Sequence, residues 1–215
     1  MTKNKEISPE QLMYEDQKEF QLHLTERSER REDFYRNIEY FKQNDDMYLD
    51  LGINLETRTI DIDTDITSEN VSIYKRAIRV LENRDSEAPI KIFISSGGGS
   101  VYDGLGLYGA MIECKCPIHT FCEGYAMSMA FVLFLAGDKR DCYQDSVFMM
   151  HEVSGGARGK NFEIQDDSKE IDRLNGVLCK IISRHTKKPV SFWKKEIKYS
   201  DKFYTKTMAK KLGIV

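Results

Sequence analysis

Residues 90–100 read IKIFISSGGGS. Ile90 to Ile94 is a short, β-branched, apolar run, and such a run bounded by turn residues predicts a strand. It passes directly into Ser95-Ser96-Gly97-Gly98-Gly99-Ser100. Glycines there can adopt backbone angles closed to other residues and let a ligand approach exposed main-chain N–H groups. A helix through Leu105, Tyr108 and Met111 follows, completing a strand, turn and helix.

The same succession extends in both directions. Upstream, Thr57 to Asp63 alternates around Ile60 and Ile62 as a half-buried strand does. Ser68 can cap a helix whose Val71, Tyr74, Ile78 and Leu81 share one face and which ends near Asn83. Downstream come a strand at Ile118 to Cys122, an apolar helix over 126–136, and a strand from Val147 to Met150 leading into His151. Residues 161–186 make one long helix on which Ile171, Leu174, Leu178 and Ile181 form a seam, either for another helix or for the chain's own body. Alternating strands and helices define an α/β domain, with sites expected where strands end and helices begin.

Composition bounds the rest. A chain of 215 residues suits one substantial domain plus an appendage, and 40% hydrophobic residues exclude a wholly disordered protein. The net charge of -3 provides no basic field for a nucleic acid. Five cysteines without a CxxC pair suggest free thiols in a reducing cytoplasm rather than disulfides or a zinc site. The longest apolar run, Ala126 to Ala136, is too short to cross a bilayer, and the N-terminus has no secretion signal.

Residues 1–50 carry 8 basic and 13 acidic side chains and read as a charged arm, helical or partly disordered, preceding a body over 51–215. Ser8 with Pro9 and Gln11 resembles a helix start, and Phe34, Ile38 and Phe41 recur at helical spacing. Near the other end, nine lysines between Lys187 and Lys211 read as a solvated face or a surface for an acidic partner.

Four places could carry chemistry. The glycine turn can hold phosphate, stabilise an oxyanion or simply reverse the chain, although no Walker A or GxGxxG spacing is present. Ser128, in Gly124-Tyr-Ala-Met-Ser-Met-Ala130, is a polar residue at a greasy helix start. Its hydroxyl either serves as a nucleophile beside helix N–H groups or bonds back to a carbonyl one turn earlier. Of the histidines, His23 lies in the arm, His119 inside a strand and His185 at the end of the long helix. His151, between a strand and the flexible Ser154-Gly155-Gly156, can face a cleft and act as base toward a serine, or be structural. A third group must orient such an imidazole. Asp201, between two helices near the C-terminus, is one carboxylate among many.

Taken together, Ile94-Ser-Ser-Gly-Gly-Gly-Ser-Val101, Gly124-Tyr-Ala-Met-Ser-Met-Ala130, Met149-Met-His151 with Gly155-Gly156, and Ser200-Asp-Lys-Phe203 resemble the ClpP family of serine peptidases in order and spacing. The resemblance covers roughly residues 51–215, closing with Ala209-Lys-Lys-Leu-Gly-Ile-Val215. It implies a ClpP/crotonase-like fold of repeated ββα units in a superhelix, with the long helix protruding to join two rings. It makes Ser128 the nucleophile, His151 the general base and acid, and Asp201 the orienting carboxylate. The backbone N–H groups of Gly99 and Met129 become the oxyanion donors, and Gly97 and Gly98 bind substrate.

The resemblance further implies a serine endopeptidase acting on unfolded proteins or short peptides inside homo-oligomeric, heptameric, stacked rings. A separate Clp-type unfolding ATPase would feed it, and no metal or cofactor is required. Two departures stand out. The family commonly has proline where Gly97 stands, and the arm does not resemble its axial loops, leaving propeptide, docking arm or targeting segment as readings. Rival functions are a non-catalytic ring subunit, a viral head-maturation type of peptidase, and a crotonase-type acyl-CoA enzyme, which shares the fold without needing a serine.

Overall fold

A computed structural model describes residues 29, 32, 39, 42, 43 and 45–215, with 157 excepted. The chain divides into two compact units, residues 1–46 and 47–215. In the first, residues 29, 32, 39, 42 and 43 are helical and exposed. The expected cap at Ser8, the stripe of Phe34, Ile38 and Phe41, and His23 all lie outside the described residues.

The second unit is built on one mixed sheet. Its strands are β1 (Ile53–Asn54), β2 (Thr59–Ile62), β3 (Ile90–Ser96), β4 (Ile118–Met127), β5 (Lys139–Cys142), β6 (Val147–Met150) and β7 (Lys202–Thr205). The main path runs β1-β2-β3-β4-β6-β7, with β5 paired to β4. The pairs β2·β3, β3·β4, β4·β5 and β4·β6 are parallel, whereas β1·β2 and β6·β7 are antiparallel. Parallel neighbours require crossovers. Helices α1 (Ser68–Arg84) and α2 (Val101–Ile112) provide the first two, and α3 (Met129–Leu135) follows β4.

Alternation placed the core correctly in these segments. Ile60 and Ile62 are buried on β2, Ile90, Ile92 and Ile94 on β3, and Val71, Tyr74, Ile78 and Leu81 on α1. The cap of α1 is Thr67, whose side chain accepts from Asn70 N–H, so Ser68 is the first helical residue and not the cap.

The largest departure from expectation lies at β4. The strand does not stop at Cys122 but continues to Met127, and the apolar helix starts only at Met129. Pairing with β3 jumps from Ile94↔Cys122 to Ser96↔Ala126, so two extra residues of β4 bulge out within Glu123–Tyr125. On its other side β4 forks, pairing β5 through His119–Cys122 and β6 through Tyr125–Met127.

Every residue of α3 is buried. Phe131 gathers Phe148, Trp193 and Tyr204 around it at centroid distances of 6.3, 6.3 and 6.4 Å. Each fully buried aromatic of this kind contributes about 1.5–3 kcal/mol, and α3 is thereby a rigid post behind the residue that precedes it.

The long helix α4 (Asn161–His185) is followed by α5 (Val190–Glu196) and α6 (Lys206–Leu212). Leu174, Leu178 and Ile181 of the expected seam are buried against the chain's own body, with Ile171 half-buried. Those three residues thus pack within this chain. What stands clear of the body is the other end, residues 161–169, all exposed and including Phe162 and Ile164. No helix among the described residues is long and apolar enough to cross a membrane.

Candidate active site

Ser128 occupies the single residue between β4 and α3, with φ 52 and ψ -121. A non-glycine residue in that region costs on the order of 1–3 kcal/mol and persists only where its surroundings impose it. Here β4 pairs with β3 up to Ala126 and with β6 up to Met127, α3 is wholly buried, and the Ser128 N–H donates to Met149 O at 2.9 Å. The chain must reverse within one residue, which pushes the side chain outward. The Ser128 hydroxyl does not bond back to a carbonyl of its own segment. It meets His151 Nε2 at 2.9 Å.

His151 follows the last residue of β6, and Asp201 precedes the first residue of β7. In the antiparallel ladder Met149 faces Phe203 and Met150 faces Lys202, so the next rung sets His151 opposite Asp201. Their side chains follow suit, His151 Nδ1 lying 3.6 Å from Asp201 Oδ1. That spacing is too long for a hydrogen bond and short enough for an ion pair. The Asp201 side chain is 58% exposed. Sequence reading placed Asp201 between two helices and missed β7, whose four residues KFYT are too short for a periodic signal.

Around these two residues the backbone is anchored from α4 and the sheet. Asn175 Oδ1 accepts the Val153 N–H at 2.7 Å, and Glu152 Oε2 accepts the Tyr199 N–H at 3.2 Å. Tyr199 itself has a positive φ of 66, marking a tight turn before Asp201.

The glycine turn lies across from Ser128. Gly98 and Gly99 have φ of +102 and +147, while Gly97 is not left-handed and a Cβ on it would meet nothing within 4 Å. The glycine requirement therefore sits at 98 and 99, and the position where proline is common in the resembling family can carry a side chain. A Cβ on Gly98 would lie 2.8 Å from Met127 O and 2.9 Å from Met129 N, and one on Gly99 would collide with Ile66 O. Ile66 forms an isolated parallel bridge to Gly99, donating to Gly98 O and accepting from Ser100 N–H, each at 2.8 Å. In such a bridge the flanking residues provide the bonds, which leaves the Gly99 N–H directed to the other side. Met129 N–H is an orphan donor of the first turn of α3. Neither N–H has a backbone acceptor among the described residues.

Ser96 holds the turn in place. Its buried hydroxyl donates to Thr64 O at 2.6 Å and accepts from Gly98 N–H at 3.2 Å. Sequence reasoning passed over Ser96, yet it continues the inward face of β3 after Ile90, Ile92 and Ile94, and a hydroxyl at such a position needs a partner. Ile66, Glu152 and Asn175 left no comparable signal.

Ser128, His151 and Gly97 to Gly99 line one open cleft of about 700 Å³. The other two described histidines are elsewhere. His119 lies in β4 beside Phe93 and Phe121, and His185 Nε2 contacts Tyr108 Oη at 2.8 Å. Burial first, and then Arg140 and Arg184, push the His185 imidazole below its ordinary value.

Residues 42–215 match the family described as Clp protease. The chain is 37% identical over 138 residues to the ATP-dependent Clp protease proteolytic subunit 1 of Salinibacter ruber, an alignment covering 63% of this chain and 59% of that protein. It is 32% identical over 163 residues to the ATP-dependent Clp protease proteolytic subunit of Deinococcus radiodurans, covering 75% of this chain and 79% of the relative.

Proposed function

The chain belongs to the Clp protease family, and from that premise we propose that it is a serine endopeptidase whose nucleophile, base and orienting carboxylate are Ser128, His151 and Asp201. The observation that carries the reading is the 2.9 Å contact between Ser128 Oγ and His151 Nε2 in a cleft lined by Gly99, whose N–H, like that of Met129, has no backbone acceptor among the described residues.

His151 Nε2 takes the hydroxyl proton as Ser128 Oγ bonds to the scissile carbonyl carbon. The oxygen becomes an anion received by the N–H groups of Gly99 and Met129, each such donor contributing about 2.7–4 kcal/mol to transition-state stabilisation. The tetrahedral species collapses, the C–N bond breaks, and His151 returns the proton to the departing amine. Water then attacks the Ser128 ester through the same imidazole, releasing the acid and restoring the hydroxyl. Asp201 holds the Nδ1 proton in place and balances the imidazolium charge. The 3.6 Å separation is loose, as such contacts are before substrate is bound.

Relatives named as proteolytic subunits of an ATP-dependent protease support a chain that works as one subunit of an ATP-dependent assembly; we place that assembly in the cytoplasm, acting on unfolded proteins or peptides beside a separate ATPase. Exposed residues 161–169 of α4, with Phe162 and Ile164, are the segment suited to meet a second ring.

A fluorophosphonate probe on the folded, assembled protein is the direct test. Ser128 should be labelled, and Ser128→Ala should lose both labelling and peptide hydrolysis. An assembled wild-type sample that takes up no probe would refute the proposal.

A further inference from the structure

The cleft around Ser128 carries negative charge and no positive side chain. Its apolar lining side chains are Ile66, itself buried to 1% exposure, and Met149. Two carboxylates line it, Asp65 and Asp103, and no lysine or arginine does. Their positions follow from the turn they flank. Asp65 immediately precedes Ile66, the bridge partner of Gly99, and Asp103 sits on the first turn of α2, one helical turn beyond Gly99. Both line the same cleft as Gly99 and Ser128, the cleft that a bound peptide would occupy.

Neither carboxylate is neutralised. Among the described residues neither takes part in an ion pair, and the cap interaction of Asp103 uses its backbone N–H, bonded to Ser100 Oγ at 3.3 Å. A neighbouring arginine is engaged elsewhere: Arg173 grips Glu170 through two 2.7 Å bonds, and Glu170 also accepts from Tyr102 Oη at 2.7 Å. Asp103 is half-buried and less screened by solvent than a free surface carboxylate.

Resting on the peptidase reading above, we propose that Asp103, assisted by Asp65, makes this cleft select peptides carrying lysine or arginine beside the scissile bond. A long cationic side chain lays its methylenes on Ile66 and Met149 and brings its charge to the carboxylates. An aliphatic side chain of the same length meets the same two apolar residues and leaves the anions without a counter-charge. Two partly exposed pairs of this kind together give about a tenfold preference.

The test uses the full-length protein and internally quenched peptides that differ only in lysine, norleucine or glutamate at each position flanking the cleaved bond. kcat/KM is normalised to sites titrated with fluorophosphonate. The expected ranking at one flanking position is lysine over norleucine by about tenfold, glutamate last, with the ratio shrinking as ionic strength rises. Asp103→Asn should bring the lysine peptide down toward norleucine, and Asp103→Lys should put glutamate ahead of lysine. A folding defect would lower all three peptides together and, because of the normalisation, would leave their ranking alone. Equal cleavage of the three peptides by wild-type protein that labels at Ser128 would overturn the specificity and leave the peptidase reading standing. An Asp103→Lys protein with wild-type ranking would overturn it too. Failure of wild type to label or cleave at all would remove the peptidase reading and the specificity with it.

Discussion

Gly98→Ala tests the geometry of the proposed oxyanion site with a single methyl group. The new carbon would lie 2.8 Å from Met127 O, 2.8 Å from Ser128 Cβ and 2.9 Å from Met129 N. Non-bonded carbons settle at about 3.5–4.0 Å, so the glycine turn and the Ser128 junction must separate by roughly 1 Å. Two of the three obstacles are backbone atoms, so no rotamer change relieves them. The separation pulls the Gly99 and Met129 N–H groups away from a common point. Loss of one donor costs about 2.7–4 kcal/mol in the transition state, or roughly 10²–10³ in kcat.

The fold also suffers, through overpacking of about 1–3 kcal/mol and a further 1–3 kcal/mol for alanine at a left-handed φ. At ~2–4 °C per kcal/mol for a chain of this size, Tm should fall by roughly 5–20 °C. The assay pairs the rate of fluorophosphonate acylation, measured well below the variant's Tm, with a calorimetric scan. Gly97→Ala serves as the thermal control, since a Cβ there meets nothing within 4 Å and Tm should hold. A folded Gly98→Ala protein acylated at the wild-type rate would refute the assignment of the donors.

Asp201→Asn should lower kcat by roughly 10²-fold, because an amide favours the wrong imidazole tautomer, but by less than the roughly 10⁴ known for a buried carboxylate since Asp201 is 58% exposed. Steady-state hydrolysis of a quenched peptide measures it, and an unchanged kcat would remove Asp201 from the triad. Tyr204→Phe should raise stability by about 1 kcal/mol in urea titration, because Tyr204 Oη is buried without a partner among the described residues and burial pushes its ionisation well up. A loss of stability would mean that the hydroxyl has a partner in solution. His185 has a folded-state value depressed below 6.5, so the unfolded chain binds the proton first. Its contribution is complete above about 6.5 and is lost as pH falls toward the depressed value; the urea midpoint should drop on acidification through that window, and His185→Gln should flatten the slope.

What could be read in the lettering depended on the range of the interaction. Strands and helices with their own periodicity, such as β2, β3, β6, α1 and the body of α4, were legible because burial repeats along them. Ser128 and His151 were legible as residue types out of keeping with their segments. Their contact was not, because it depends on β6 pairing with the second half of β4 after a two-residue bulge, which no local pattern records. Asp201 could be singled out only by resemblance. Its place against His151 is a rung of a ladder with a strand 52 residues further along the chain (150 to 202), too brief to announce itself. The seam of α4 had the spacing of an intersubunit contact, and two of its residues, Leu178 and Ile181, belong to the chain's own core.

The pairing of β6 with β7 makes folding accuracy a condition of the proposed activity. A slip of one step would bring Ser200 or Lys202 level with His151, exchanging the anion for a neutral hydroxyl or a cation, and would turn every side chain of β7 to the opposite face. Trp193 and Tyr204 guard against that error, since Tyr204 fits the aromatic cluster from one face only. The hydrophobic interior thus proofreads the alignment of a charge that it never touches.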